Sequence, residues 1–490
     1  MQWRPSLHVF KRMRTDMVLV GSGSFLLGLL LARWHFAMPL WPVLLLAASV
    51  VLIRQKAIRV MLVLLCGLSL GVWRGTILLQ ALQPYQDFAT QKVSMRATVS
   101  MDAVYGQNSQ LSFDVSHIQF LKPEAMTVPG TVKVSGFGEL AVYRGDVLEI
   151  TGKLYPTRGG KQASIGYAQF TRVASHQTVI DTLRRKFVAG MQTALPEPIA
   201  SFGLGLLIGQ RNTLPYATSQ ALLMVGLTHI IAVSGYNLTI LLNAARRLLG
   251  NKSKRLTTIV AVGLMVFFLL FAGSSASIVR AAVVSGLSLA AWYYGRTVRP
   301  MVLILLAAAL TTYATPMYFW SDISWWLSIL AFFGILVIAP RIIAQLYKER
   351  EVPMLVQIAI ETASAEIMTI PLIMFIFGQV SFIGLLANVL VASVIPLAML
   401  LSFIAGLAGM LLPLLAGWAA WPANILLTYM LDTTTILSRL PHVFQTNVYL
   451  GVMDMALCYG LIAILVFALR QKSAVWFSQI ANKSKKIGSA

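Results

Sequence analysis

Several polar side chains interrupt an apolar stretch near the middle of this chain. Residues 226–237 have the sequence Gly-Leu-Thr-His-Ile-Ile-Ala-Val-Ser-Gly-Tyr-Asn, in a segment otherwise apolar enough to span a bilayer. Unpaired polar groups are costly in hydrocarbon, so such side chains usually face a cavity, a partner helix or a transport pathway. His229, Ser234 and Asn237 could therefore offer hydrogen bonds to a polar substrate, while Gly235 would let the backbone kink. The alternative is that these residues only hold neighbouring helices together.

Charged residues inside two later apolar segments raise the same question. Arg280 lies near the start of an apolar run. It either extends to the membrane interface or meets a phosphate, which its planar guanidinium binds bidentately. Glu361 and Glu366 lie five residues apart in one predicted helix, about 140° around its axis, so they do not form a paired carboxylate site. Either glutamate could balance a nearby arginine or serve proton-coupled transport.

The composition indicates that most of the chain lies in lipid. Hydrophobic residues make up 57% of the 490 residues and charged residues only 11%, whereas soluble domains carry roughly 25% charged residues. The net charge of +22 is weak evidence for nucleic acid, because much of the excess lies in short segments between apolar runs, as the positive-inside rule predicts. The sequence has no P-loop, and its two cysteines, Cys66 and Cys458, lie in apolar runs. We therefore expect no enzyme activity, no metal and no cofactor.

The chain begins with three predicted membrane helices, followed by a segment of different character. The apolar runs lie near residues 17–33, 38–53 and 60–80. From about 85 to 173 the sequence alternates between apolar and polar residues, most clearly at 93–99. About five such runs in a short segment predict a small β-barrel. With the N-terminus inside, three crossings place this domain outside the cytoplasm.

Amphipathic segments and a second series of apolar runs follow. Residues 178–225 are punctuated by glycine and proline, which predicts interfacial or re-entrant helices. Further apolar runs between 227 and 470 predict about twelve spans in total, with both termini inside. Pro396 kinks one of these spans or divides it into half-helices. The predicted fold is a polytopic α-helical membrane protein with an inserted extracytoplasmic β-barrel. The predicted segments are 1–84 (N-terminal membrane helices), 85–175 (external β domain), 176–226 (amphipathic or re-entrant helices) and 227–490 (membrane channel domain).

Four motifs, in order along the chain, carry a family resemblance. The stretch from Gly226 to Gly235 resembles the G-(L/T/S)-x-H-x-x-A-x-S-G signature of the ComEC competence family, the DNA-uptake channel of transformable bacteria. The other matching stretches are Ser277–Ala282 with Gly295 and Arg296, Trp325–Phe332, and Ile370–Leu372 through Phe377–Ser381 with Ala387 and Asn388. The resemblance implies that the β domain is OB-like. It also implies that Asn388 joins His229, Ser234, Gly235, Asn237 and Arg280 along a DNA pathway. We expect Glu361, which could orient a basic residue, to lie on the same pathway.

The chain departs from the family pattern in two ways. Many members end in a metallo-β-lactamase-like nuclease domain with an HxHxDH motif, but no two of the six histidines in this chain are close enough to form it. We therefore expect a short member of the family, with any nuclease supplied separately. Some members also carry a disulfide in the external domain, and this chain has no cysteine there.

One stretch of the external domain combines basic and aromatic residues. Lys153, Arg158 and Lys161 surround two glycines, with Tyr155 close by. Basic side chains interleaved with aromatic rings suit the binding of single-stranded DNA, by backbone attraction and base stacking. The alternative is an ordinary solvated loop.

The sequence therefore predicts an inner-membrane channel that passes single-stranded DNA into the cytoplasm during natural transformation. The expected partners are single-stranded DNA, the lipid bilayer, a cytosolic ATPase or helicase and an extracytoplasmic DNA receptor. One alternative is a proton-coupled transporter of a small solute acting through Glu361 or Glu366, which a large external β domain fits poorly. Another is a lipid- or envelope-handling scaffold.

Overall fold

A computed structural model of the chain describes most of its residues. The described residues are 6–487, except 35–38, 54, 101, 106–109, 138–141, 158–159, 176–177, 211–213, 232–236, 239, 243–244, 246–248, 250–252, 274–275, 296–298 and 348–351. Side chains are described from 15 to 469, except in the same gaps and at 51, 104, 105 and 276.

Helices dominate the described chain, as its long apolar runs predict. The helices before the β domain are α1 (Ser6–Ala32), α2 (Trp41–Leu52) and α3 (Lys56–Asp87). Those after it are α4 (Val179–Ala194), α5 (Ile199–Ile208), α6 (Tyr216–Met224), α7 (Thr228–Ile231), α8 (Lys254–Ala272), α9 (Ala276–Tyr293), α10 (Pro300–Ala314), α11 (Met317–Ser321), α12 (Ile323–Phe333), a π-helical turn (Gly334–Ile338), α13 (Ala339–Tyr347), α14 (Met354–Phe377), α15 (Gly384–Ala392), α16 (Ile395–Leu411), a 3₁₀ turn (Pro413–Leu415), α17 (Ala416–Ser438) and α18 (Val452–Ile487).

Several of these helices are long and apolar enough to cross a membrane, so the chain is a polytopic membrane protein. Within the described residues seven helices meet that description, and an eighth is added if α15 and α16 count as one bent span. These two helices meet at 53°, which confirms the break predicted near Pro396. Four shorter apolar helices include α2, α9 and α10, each within a predicted span. The total of about twelve spans and the orientation stay predictions.

The segment between α3 and α4 forms a β-sheet that closes on itself. Its strands are β1 (Lys92–Val99), β2 (Val104–Tyr105), β3 (Gln110–Lys122), β4 (Met126–Val128), β5 (Val132–Phe137), β6 (Asp146–Pro156) and β7 (Ala163–Ser175). The strand order is β1-β6-β7-β5-β3, and β3 pairs again with β1. All of these pairings are antiparallel except β5 with β7, which is parallel.

The inside of this barrel is filled by alternate residues of its strands. Along β1, Val93, Met95, Ala97 and Val99 are buried, whereas Lys92 and Arg96 are exposed. This period of two is the pattern that predicted the strands. Aromatic rings from the end of α3 pack into the same core, with Phe88 in edge contact with Phe120 at a centroid distance of 5.4 Å. The barrel is thus joined to α3 by its own core.

The chain divides into two compact units. The first contains residues 1–187 and 238–325, and the second contains 188–237 and 326–490. In the first unit, α1 packs along α3, and the Trp320 indole donates a hydrogen bond to the Leu29 carbonyl at 3.0 Å. In the second unit, a short hairpin joins β8 (Gln379–Ser381) to β9 (Phe444–Thr446).

Candidate functional site

The polar motif around His229 begins at a sharp turn in the second unit. Gly226 ends α6 with a φ of +74°, a left-handed conformation that favours glycine. The turn lets α7 start at Thr228, and the His229 Nδ1 then lies 3.1 Å from the Gly226 carbonyl oxygen. Because a carbonyl only accepts hydrogen bonds, Nδ1 is the donor in this contact. The turn therefore sets the position of His229.

His229 belongs to a cluster of polar side chains from four elements, which we call the polar cluster: His229, Thr362, Glu366, Ser381 and Asn388. The imidazole interacts with the side chain of Asn388 on α15. The Asn388 Nδ2 donates a hydrogen bond to the Thr362 hydroxyl on α14 at 2.6 Å. These contacts bring together residues that are far apart in sequence.

The remaining members of the polar cluster surround the start of α15. A Cβ placed on Gly384 would lie 3.0 Å from the Glu366 carboxylate and 3.7 Å from the Ser381 hydroxyl. Glu366 and Thr362 are four residues apart on α14, so they share one helix face. A carboxylate is favoured at the N-terminus of a helix, where backbone N–H groups carry partial positive charge. Glycine at 384 therefore allows Glu366 to approach the first turn of α15.

The polar cluster runs from an accessible end to a buried end. His229 is exposed although Ile230 and Ile231 beside it are buried, and Asn388 is half-buried. Thr362 is 8% exposed. The cluster offers donors and acceptors of hydrogen bonds to a polar group that reaches His229. Among the described residues, no group of three or more His, Cys, Asp or Glu could hold a metal ion.

Other predicted pathway residues of this unit have different surroundings. Asn237 is 2% exposed and its Nδ2 donates a hydrogen bond to the Leu206 carbonyl of α5 at 2.9 Å, so it joins helices. Glu361 accepts a hydrogen bond from Gln357 at 2.8 Å on its own helix. Ser234 and Gly235 lie outside the described residues.

Arg280 lies in the first unit and is almost completely enclosed. It is 1% exposed, so it does not extend to the membrane interface. Its Nη2 donates to the Ser324 carbonyl at 2.8 Å, and Asp322 and Tyr318 lie close enough to interact electrostatically. Within the part of the chain that the structure describes, its Nε and Nη1 make no hydrogen bond. An arginine held in this way keeps two donors for a further acceptor.

The predicted DNA-binding residues of the β domain lie on β6 and in the loop that follows it. Lys153 and Tyr155 are exposed on the outer face of β6, with the Lys153 Nζ 5.6 Å from the Tyr155 ring centroid. Lys161 forms an ion pair with Asp114, which reduces its charge toward a ligand. Arg158 lies outside the described residues. A Cβ on Gly160 in this loop would lie 3.7 Å from the Cβ of Asp322.

A group of ion pairs holds the barrel against α4 in the first unit. Arg184 of α4 is 5% exposed and lies 3.5 Å from Asp102, while Arg144 lies 3.4 Å from Asp181. Burial lowers the pKa of the Arg184 guanidinium, and the nearby carboxylate of Asp102 opposes that shift. Buried charges that are paired in this way orient one element on another. The basic run at 184–186 therefore supports the barrel through Arg184.

The sequence did not single out Thr362 as a site residue, and it did not indicate which residues Ser381 and Asp322 would lie beside. Thr362 precedes Glu366 by four residues, a spacing that signals one shared helix face. Ser381 belongs to a matching motif and ends strand β8, whose pairing with the distant β9 the sequence did not indicate. Asp322 stands alone between two short helices.

Comparison with known proteins gives one match. Residues 206–472, more than half of the chain, match the family described as "Competence protein". No curated protein and no solved structure matches the chain. The matched region contains His229, Arg280 and Asn388, on which the resemblance rested. The chain therefore belongs to the competence protein family.

Proposed function

We propose that this protein passes single-stranded DNA across the inner membrane into the cytoplasm during natural transformation. Membership of the competence family supports a role in DNA uptake, and the long apolar helices support a multi-pass membrane location. The observation that carries the proposal is the polar cluster. There two separate family motifs, one around His229 and one ending at Asn388, lie against each other, and Asn388 is hydrogen-bonded to Thr362.

The polar cluster suits a substrate that must keep moving. Its members are neutral hydrogen-bonding groups plus the half-buried Glu366, with His229 at the accessible end. Each neutral hydrogen bond contributes only about 1 kcal/mol. A polyanion can therefore exchange such contacts without being trapped. Arg280 has two donors without a partner among the described residues, and they would supply the stronger contact with a phosphate in a conformation that opens around this buried side chain.

The β domain is proposed to be an OB-like receiver for the incoming strand. Its five long strands form a barrel in which the third and fifth (β5 and β7) are parallel. OB-type barrels bind oligonucleotides at the face of strands two and three and at the loop between strands four and five. Here that loop follows β6 and contains Arg158 and Lys161. Gly160 of this loop lies beside Asp322, which neighbours Arg280.

The proposal includes partners. The sequence contains no P-loop, so the energy for transport would come from a cytosolic ATPase or helicase. An extracytoplasmic receptor would deliver DNA, and a separate nuclease would degrade the strand that stays outside. Both termini of the chain would lie in the cytoplasm.

The test is cytoplasmic uptake of labelled DNA in a strain that lacks this gene and is complemented with variants. Deletion should abolish uptake while DNA binding at the cell surface persists. Thr362→Val keeps the shape of the side chain but removes the acceptor of the Asn388 hydrogen bond. It should lower uptake about fivefold, at an unchanged amount of folded protein. Uptake that survives deletion would exclude the proposed function.

A matched control separates the polar cluster from helix packing. Thr435 on α17 is half-buried, and among the described residues its hydroxyl bonds to the Leu431 carbonyl of its own helix, at 2.9 Å. Thr435→Val makes the same chemical change at a hydroxyl that is not a member of the polar cluster. It should leave uptake at the wild-type level. Equal losses in Thr362→Val and Thr435→Val would mean that the cluster has no special part in transport.

A further inference from the structure

Two aromatic rings are exposed side by side on the outer face of the β-barrel. Phe137, at the end of β5, is 53% exposed and Tyr167, on β7, is 84% exposed. Their ring centroids are 5.7 Å apart and their planes are inclined at 34°. Phe137 has no polar group, so its exposure is not explained by hydrogen bonding to water. Adjacent exposed rings of this kind usually mark a binding surface.

The backbone at Tyr167 is distorted in a way that turns the ring outward. Tyr167 has a φ of +53°, a conformation that bulky residues rarely adopt. Tyr167 lies in a β-bulge, because it is paired with no residue in the register of β7 with β5 or in that of β7 with β6. Bulges next to binding sites commonly re-aim a side chain. Burial does not compensate the strain here, since the ring is mostly exposed, which points to a functional reason.

Positive charge and a third ring lie next to this pair. Lys153 on β6 is opposite Gly166, the residue before Tyr167, and its ammonium group lies over the Tyr155 ring. Tyr155 is opposite Ser164, three residues before Tyr167 on β7, which corresponds to about 10 Å along the strand. Lys133, two outward positions before Phe137 on β5, is also exposed. Three rings and two ammonium groups are therefore exposed on the neighbouring strands β6, β7 and β5.

We propose that Phe137 and Tyr167 form a platform on which an unpaired base of single-stranded DNA stacks, with Lys153 holding the adjacent phosphate. This inference rests on the proposed function and adds to it the first contact of the strand with the protein. Bases in a duplex already stack on each other, so exposed rings select unpaired bases. Every base has a π-face, so the platform is tolerant of sequence, as uptake of arbitrary DNA requires.

The positive φ at Tyr167 allows a substitution that removes the ring without straining the backbone. Tyr167→Gly removes the ring and places at this position the residue that most easily adopts the conformation. The barrel should therefore stay folded, with an unchanged or higher melting temperature. Tyr167→Phe keeps the ring and should bind DNA like the wild type. Tyr294, which is 72% exposed and in edge contact with Tyr293, offers a control substitution of an exposed ring outside the barrel.

The experiment measures binding of a labelled oligothymidylate to the full chain in nanodiscs, by fluorescence anisotropy. An oligomer of equal length without bases carries the same charge and serves as the comparison. The wild type and Tyr294→Ala should bind the oligothymidylate about tenfold more tightly than the abasic strand. Phe137→Ala combined with Tyr167→Gly should remove that preference without changing the salt dependence. Lys153→Ala should instead reduce the salt slope by about 0.7.

The outcomes separate the platform from the proposed function. If the double variant keeps the preference for bases while the wild type takes up DNA, the platform is wrong and the transport proposal stands. If the wild type binds neither strand and its deletion leaves uptake unchanged, both fail. The rings could instead contact lipid. Emission of Tyr167→Trp that is quenched by brominated phospholipid, and is unchanged by oligothymidylate, would overturn the platform in favour of a membrane anchor.

Discussion

Replacing Arg280 by methionine separates a role in transport from a role in packing. The arginine is 1% exposed and makes one hydrogen bond, from Nη2 to the Ser324 carbonyl at 2.8 Å. Its Nε and Nη1 have no hydrogen-bond partner among the described residues. Methionine has a similar length, keeps the apolar contacts of the side chain and is a good helix former. We expect Arg280→Met to fold as well as the wild type but to lose most DNA uptake.

The expected change in stability follows from these contacts. Each buried unsatisfied donor costs about 1–3 kcal/mol, so removing two gains about 4 kcal/mol. Losing a hydrogen bond from a charged group costs about 2 kcal/mol. The lost attraction to the half-buried Asp322 costs about 1 kcal/mol more. The difference is a stabilisation of about 1 kcal/mol, in line with other cases where an apolar residue replaces a buried charge.

The assay combines thermal unfolding in detergent with DNA uptake normalised to the amount of folded protein. Arg280→Lys keeps the charge but loses the bidentate fork, so its uptake should lie between the wild type and Arg280→Met. A packing role makes the opposite prediction. An Arg280→Met protein destabilised by more than about 2 kcal/mol, with wild-type uptake per folded molecule, would refute this account.

Two further predictions concern orientation and the barrel. Cysteines introduced at Ser109 and Ser253 should differ in labelling by an impermeant thiol reagent on intact cells. Only Ser109→Cys should be labelled, and the reverse pattern would invert the orientation and remove the argument for inward transport. Asp146 is completely buried and its carboxylate has three polar partners, so Asp146→Ala should lower the free energy of unfolding by about 3–5 kcal/mol. Asp16→Ala, in an exposed ion pair, should cost less than about 1 kcal/mol in the same denaturation assay, and equal losses would contradict the assignment.

The sequence alone determined the kinds of elements and much of their position. Apolar runs predicted the long helices, because a span needs about 20 consecutive apolar residues whatever surrounds it. Alternation at 93–99 predicted the strand that the structure extends to Lys92–Val99. Pro396 predicted a break, which lies between α15 and α16. These signals are local: each depends on a periodicity or a backbone restriction carried by neighbouring residues.

Only the tertiary structure decided which polar side chains meet. The contacts among His229, Asn388 and Thr362 depend on how three elements pack and rotate. No periodicity in the sequence encodes that rotation. The burial of Arg280, and the pairing of Lys161 with Asp114, likewise follow from residues that are distant in sequence.

The exposure of the Tyr167 ring is a second feature that the sequence alone did not predict. In sequence, Tyr167 is one aromatic residue in a strand, and β-propensity favours it there for packing. The bulge that exposes it arises because β7 pairs with β5 on one side and with β6 on the other. In both registers Tyr167 is opposite no residue of the neighbouring strand. The sequence determined that an aromatic residue stands at this position, whereas the closure of the barrel decided that its ring faces outward.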